Sequence, residues 1–312
     1  MDARLRGHDA DMMIESFTYK GPREGSRLLI LGAVHGNEKC GSIAIKRLME
    51  EIGRGEVKIE AGQLTVAPVC NPRAFEQDVR FTERNLNRYL LPDANPQTYE
   101  AQLGNELCAL IEQCDVLLDI HSYTVGGAPF AFVGGASEKE LAFASRLGAA
   151  AVLTGWEQAY AATGRCDGVD KNEGIGTTEY ARRCGAIGVT LECGQHLAPE
   201  APEVATRAIH NALAYLGLGA AAAPSAAVPA CAVPASKPPV ITVTHVFYRD
   251  DPGSFPKVWT HLEPVAEGEV LARHANGEAI AAPADGFMIM PRANCPVGEE
   301  WFYFGVAEKS RS

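Results

Sequence analysis

Four apolar runs punctuate the first two-thirds of the chain: "RLLILGAV" (27–34), "QLTVAPVC" (63–70), "CDVLLDI" (114–120) and "AIGVTLEC" (186–193). Each is nearly continuous rather than alternating, which predicts strands covered on both faces. Segments of helical length separate them. "GSIAIKRLMEEI" (41–52) sets Ile43, Ile45, Leu48, Met49 and Ile52 roughly at helical spacing, and "TYEAQLGNELCALIEQ" (98–113), "ASEKELAFASRLGAAA" (136–151) and "PEVATRAIHNALAYLGL" (202–218) follow. Strands alternating with helices predict an α/β sheet with helices on both faces.

The pattern then changes. Residues 219–239, "GAAAAPSAAVPACAVPASKPP", are Ala and Pro with almost no charge, a poor core and a good semi-rigid linker. Beyond it the helical period disappears, and short strand-like pieces divided by Gly, Pro and Asp-Gly turns predict a small all-β unit, a barrel or sandwich, over 240–312. The expected organisation is an α/β domain over 1–218, a linker over 219–239 and a β domain over 240–312.

Composition narrows the partners. With 28 Lys+Arg against 39 Asp+Glu the net charge is −11, which repels phosphate backbones and anionic membranes over most of the exterior. Nucleic acid and membrane are therefore not expected as partners. The nine Cys form no CxxC pair and sit in apolar surroundings, so they read as small core residues in a reducing compartment. The N-terminus lacks the apolar core of a signal peptide, and no apolar run reaches the ~18 residues of a membrane span. A cytoplasmic protein is the expectation, with its oligomeric state, including a homo-oligomer, left open.

Candidate chemistry gathers at strand ends, where open α/β sheets place their ligands. His35 and Glu38 form H-x-x-E in the turn after the first run, and the bland reading is a polar turn in which Asn37 or Glu38 caps the following helix. His121 ends "LLDIHSY", and alone it reads as a satisfied structural histidine. Together the three supply the two His and one Glu of a catalytic zinc site whose fourth position is left for water. Glu192, inside "GVTLECGQH", is either paired with a nearby Arg or serves as the carboxylate that moves a proton for such a water. "NPRAFEQDVRFTERNLNRYL" (71–90) carries Arg73, Arg80, Arg84 and Arg88, a cationic patch suited to carboxylates, or else a solvated loop neutralised by its own acids.

These motifs, "GAVHGNE", "NPRAF", Arg80 followed by "NLNR", "DIHSY" and "VTLECG", resemble those of the succinylglutamate desuccinylase/aspartoacylase family, which is related to the zinc carboxypeptidases. The resemblance implies a mixed, mostly parallel central sheet and one zinc per chain on His35, Glu38 and His121. It implies that Glu192 activates water, that Arg80 polarises the scissile carbonyl, and that Asn87 and Arg88 clamp a substrate carboxylate. It further points to Arg182, with Arg183 beside it, as an anion-binding arginine, and to Tyr303 in "EEWFYF" as a tyrosine reaching the site from the C-terminal strands. Where relatives often carry Asp to orient a zinc-ligating His, this chain has Asn85; Asp119 is a further group placed to orient a ligand. The activity implied is hydrolysis of a carbon–nitrogen bond other than a peptide bond, in a small anionic N-acyl amino acid or related amide. A carboxypeptidase acting on short peptides and a non-catalytic binder of a small anion are the alternatives.

Overall fold

The computed structural model describes residues 14–134, 137–164, 172, 174–219 and 237–308. Its first part runs β1 (Phe17–Lys20), β2 (Arg23–Gly32), α1 (Cys40–Gly53), β3 (Ala61–Ala67), α2 (Pro72–Gln77), α3 (Tyr99–Ile111), β4 (Val116–Tyr123), β5 (Phe130–Val133), α4 (Glu138–Ala144), β6 (Ala151–Thr154), α5 (Trp156–Ala162), α6 (Thr177–Arg183), β7 (Ile187–Gln195) and α7 (Ala201–Tyr215). Among the described residues only strands follow: β8 (Val240–Tyr248), β9 (Glu263–Val265), β10 (Val270–Arg273), β11 (Ala279–Ala281), β12 (Gly286–Ile289) and β13 (Glu300–Ala307). Residues 220–236 of the expected linker lie outside the described residues.

The four apolar runs form β2, β3, β4 and β7, four adjacent strands of an eleven-stranded sheet ordered β1-β3-β2-β4-β7-β5-β6-β8-β13-β12-β9. The β3-β2-β4-β7 group is parallel throughout, which is why its strands are apolar on both faces. Residues 28–31 of β2 are each at most 1% exposed. Helices α1, α4 and α7 bury one face around Ile45, Leu48, Phe143, Ile209 and Leu213. Helices α3 and α6 cover the other around Leu103, Leu107 and Tyr180.

Some elements differ from expectation. The helix expected over 136–151 stops at Ala144, because Gly148 turns the chain at φ +86° and the β-favouring "AVLT" that follows becomes β6. Strand β5 runs antiparallel to β7 and parallel to β6, and β6 then pairs in parallel with β8, Val152 opposite Val240. Hydrogen bonding therefore runs from the α/β part into the C-terminal strands without a break, while β10 and β11 pair separately. Among the described residues no helix is long and apolar enough to cross a membrane.

Candidate metal centre

Strand β2 ends at Gly32, and Ala33 takes the left-handed conformation at φ +48°, uncommon for a side chain with a Cβ. Its carbonyl accepts the Asn71 amide at 3.1 Å, so the reversal is clamped by the NPRAF segment. The Glu38 amide donates to the His35 carbonyl (3.1 Å), and the Gly36 amide donates to the Arg80 carbonyl (3.2 Å). A Cβ on Gly36 would run into the Ala74 backbone, so glycine is required for this approach. Helix α1 takes Lys39 as its N-cap with no side-chain cap, so Glu38 is not spent as a cap. Its carboxylate turns inward and is only 2% exposed.

There it meets two histidines. His35 Nδ1 lies 3.0 Å from Glu38 Oε1, His121 Nδ1 lies 2.8 Å from Glu38 Oε2, and the two Nδ1 atoms are 3.2 Å apart. His121 arrives from β4, the neighbour of β2. The outward nitrogens are also engaged: His35 Nε2 faces Asn85 Oδ1 at 3.0 Å, and His121 Nε2 lies 2.8 Å from Asp119 Oδ2. The acceptors beside both Nε2 atoms favour a proton on the outer nitrogen of a neutral imidazole, and both Nδ1 atoms face the Glu38 carboxylate. Three buried acceptors within 4.8 Å of one another call for a positive charge between them, and this set could hold a divalent metal. The demand also shows in the titration of His121: burial opposes protonation, but Asp119 and Glu38 raise its pKa well above the usual histidine range. His35, which lacks a second carboxylate, is pushed down to about 4, mainly by burial.

Two further groups frame the cluster. Glu192 on β7 is the direct partner of His121 on β4, one strand spacing away. It is half-buried, and its Oε2 is enclosed with no hydrogen-bond partner, so it is not paired with an arginine. Burial, reinforced by the charge of Glu38, pushes its pKa up to about 8, against the pull of His121 and Arg80. Arg80 donates to Glu38 Oε1 at 2.7 Å while its side chain remains 46% exposed, which sets a guanidinium at the mouth of the cluster.

Other expected residues stand elsewhere. Asn85 and Asp119 back the histidines, and Asp119 also accepts from Thr177 Oγ1. The Asn87 side-chain oxygen accepts the Thr177 amide (2.8 Å) at the start of α6, and its own amide donates to Asn85. Arg88 is exposed, with Nη1 on the Asn87 carbonyl. Arg182 is not brought to the cluster: it donates to the Gly188 carbonyl at the opposite end of β7 and pairs with Glu179 (2.7 Å) and Glu140 (3.4 Å). Arg182 stands ten residues before Glu192, but the tight turn at Gly185 between α6 and β7 intervenes, so it lands one strand length from the site. Arg183 is exposed beside it. Tyr303 is 7% exposed in an aromatic cluster, its hydroxyl donating to Glu300 at 3.0 Å and in contact with Tyr160. It serves there as a core residue.

Residues with no motif to announce them also shape the centre. The Ser122 amide donates to Glu38 Oε2 (3.1 Å), and Ser122 Oγ contacts His196 Nδ1 (2.8 Å). Glu100, on α3, accepts the amides of residues 82, 83 and 84. Its only signal in the sequence is its place in the first turn of α3, beside the apolar stripe of Leu103 and Leu107.

Residues 24–216 match the sequence profile of the succinylglutamate desuccinylase/aspartoacylase catalytic domain. A probable aspartoacylase of Nostoc sp. is 30% identical over 108 residues, 32% of this chain and 36% of its own length. An aspartoacylase of Danio rerio is 28% identical over 115 residues, 33% of this chain and 35% of its own. The chain thus spans about a third of the length of the curated relatives it matches. The crystal structure of a succinylglutamate desuccinylase/aspartoacylase from Rhodobacter sphaeroides superimposes with a TM-score of 0.73 over 95% of this chain and 89% of that one, at 20% identity, a likeness of fold. The profile covers well over half of the chain, including the turn that brings His35 and Glu38 to His121 and the strand that carries Glu192: the chain belongs to the succinylglutamate desuccinylase/aspartoacylase family.

Proposed function

We propose that this protein is a zinc-dependent deacylase that hydrolyses the amide bond of a small anionic N-acyl amino acid or related amide. One observation carries the reading: three buried acceptors, His35 Nδ1, His121 Nδ1 and a Glu38 oxygen, converge beside Glu192, a carboxyl with an enclosed oxygen and no partner. The donor set fits zinc, which would supply Lewis-acid chemistry to the carbonyl and the attacking water. Family membership supplies the reaction class.

In this reading Glu192 takes the proton of the attacking water and delivers it to the departing amine. A carboxyl whose pKa stands near 8 without a cation is drawn down by one, into the range where it works in both directions near neutral pH. Arg80, already anchored on Glu38, faces the negative charge that develops on the carbonyl oxygen. Asn85 and Asp119 hold the two imidazoles with Nδ1 inward. Arg88, exposed on the same segment as Arg80, offers the cation for a substrate carboxylate, and Asn87 fixes that segment to α6. An acidic protein with arginines on one rim suits a small anion better than a polymer.

The test is metal analysis of the purified protein, followed by a panel of N-acetyl-, N-succinyl- and N-formyl-amino acids with dipeptides alongside. Bound or restorable zinc with cleavage of N-acyl amino acids is expected. No bound or restorable metal and no hydrolysis in the panel would refute the proposal, and cleavage of dipeptides alone would make the protein a peptidase.

A further inference from the structure

The arginine segment is held from beneath by one buried acid. Glu100 is 0% exposed, and its carboxylate accepts five hydrogen bonds. Oε1 takes the Thr82 amide and hydroxyl, both at 2.7 Å, and Asn71 Nδ2 at 3.3 Å. Oε2 takes the Glu83 amide at 3.2 Å and the Arg84 amide at 3.3 Å. Every one of these donors is neutral. Burying a carboxylate costs several kcal/mol unless donors replace its water, and here four of the five come from the strip 82–84 and the fifth from Asn71. Three successive backbone N–H groups converge on the carboxylate, in the manner by which turns bind free anions. Burial works against ionisation, yet the Thr82, Asn71 and Arg84 donors hold the carboxyl below its ordinary range.

The strip matters for what flanks it. Arg80, two residues before Thr82, bonds Glu38; Asn85, one residue after Arg84, faces His35 Nε2. Asn71, the fifth partner's residue, also caps α2 and clamps the Ala33 carbonyl in the metal-binding turn. One carboxylate therefore fixes the backbone between a ligand-facing cation and a group that orients a ligand.

We propose that Glu100 is a positioning residue of the site, setting Arg80 against Glu38 and Asn85 against His35 through the backbone of residues 82–84. The proposal rests on the zinc deacylase reading for its catalytic consequence, but not for its structural one. A neutral acid or amide would not serve, because its O–H or NH2 would face a donor.

The experiment compares wild type, Glu100→Gln and Thr82→Val, the last removing a single hydroxyl bond. Zinc affinity is read by chelator competition, exchange of the 82–84 amides by deuterium uptake, and kcat and KM well below the melting temperature. Glu100→Gln is expected to accelerate exchange at residues 82–84 at least tenfold. It is also expected to weaken zinc and lower kcat per folded molecule, each by about tenfold, the scale of one lost charge-assisted hydrogen bond. Thr82→Val should move the same three readouts in the same direction by less. A purely structural role would lower the melting temperature and leave zinc affinity and kcat unchanged, and that result overturns the proposal. If Glu100→Gln does not fold, unchanged exchange and zinc affinity in Thr82→Val overturn it equally. If the wild type cleaves nothing, the deacylase reading fails, while exchange and zinc affinity still decide the role of Glu100.

Discussion

Asn85→Asp tests the metal centre from its outer side. Asn85 Oδ1 accepts from His35 Nε2 at 3.0 Å and from the Asn87 amide at 2.9 Å, and an aspartate of the same shape keeps both bonds. What changes is the acceptor's charge. A hydrogen bond to an ionised group contributes about 1 kcal/mol more than a neutral one, which corresponds to roughly a fivefold gain in zinc affinity through a more basic His35. The metal-free protein should move the other way, because a carboxylate is added beside Glu38, Asp119 and Glu192, which His121 and Arg80 offset only in part. Asn85→Leu removes the acceptor and should weaken zinc by roughly 10- to 100-fold. Chelator competition gives the affinities, and melting with and without zinc gives the opposing shifts. If Asn85→Asp binds zinc no more tightly than wild type, or Asn85→Leu binds it equally well, His35 is not a ligand oriented through Nε2 and the assigned set is wrong.

Glu192→Gln should retain zinc and fold at least as well as wild type, since an enclosed carboxyl oxygen without a partner costs stability, while hydrolysis falls by roughly 10²- to 10⁴-fold. Retained activity in a zinc-loaded Glu192→Gln protein would remove it from the mechanism. Gly36→Ala should abolish folding or metal binding, because the new Cβ meets the Ala74 backbone; a soluble variant with wild-type zinc affinity would contradict the turn described above. His261 is 3% exposed and its pKa is lowered to about 3 by burial. The unfolded chain binds its proton below about pH 6.5 and the folded chain does not until about 3, so its contribution is intact above 6.5 and is lost at roughly 1.4 kcal/mol per pH unit as pH falls through that window. His261→Asn, whose amide oxygen can still accept the Met290 amide, should flatten the pH dependence of urea unfolding between 4 and 6 by about one proton; an unchanged slope would mean that His261 is protonated in the fold.

The parallel strands were legible because burial on both faces leaves no polar alternation, as in residues 28–31. His35 and His121 were legible because each ends an apolar run at the carboxyl edge of the sheet, and Glu38 because it stands three residues after His35 in the same turn. Short elements were not: β5 and β6 each have four residues, and nothing in "FAFV" tells the chain to run antiparallel. Arg182 misled because a residue count carries no direction, and the turn between α6 and β7 returns it to the wrong end of the strand. Ile43 fits the helical spacing of α1 but is 40% exposed, since the buried stripe runs through Ala44, Ile45 and Leu48. Glu100 was silent because its role depends on a segment some eighteen residues away folding back over it.

The parallel pairing of β6 with β8 carries a consequence for biosynthesis. Val152, Leu153 and Thr154 have their outer hydrogen-bonding edge satisfied by Val240, Ile241 and Thr242. During translation the ribosome must deliver the whole stretch from α5 to β8 before that edge is closed. Until then the nascent α/β portion presents an unpaired, apolar strand, the kind of surface on which incomplete chains adhere to one another. Safe maturation therefore depends on how quickly the C-terminal strands emerge and dock, and a chain stalled near residue 218 would carry His35, Glu38 and His121 and still be prone to aggregate.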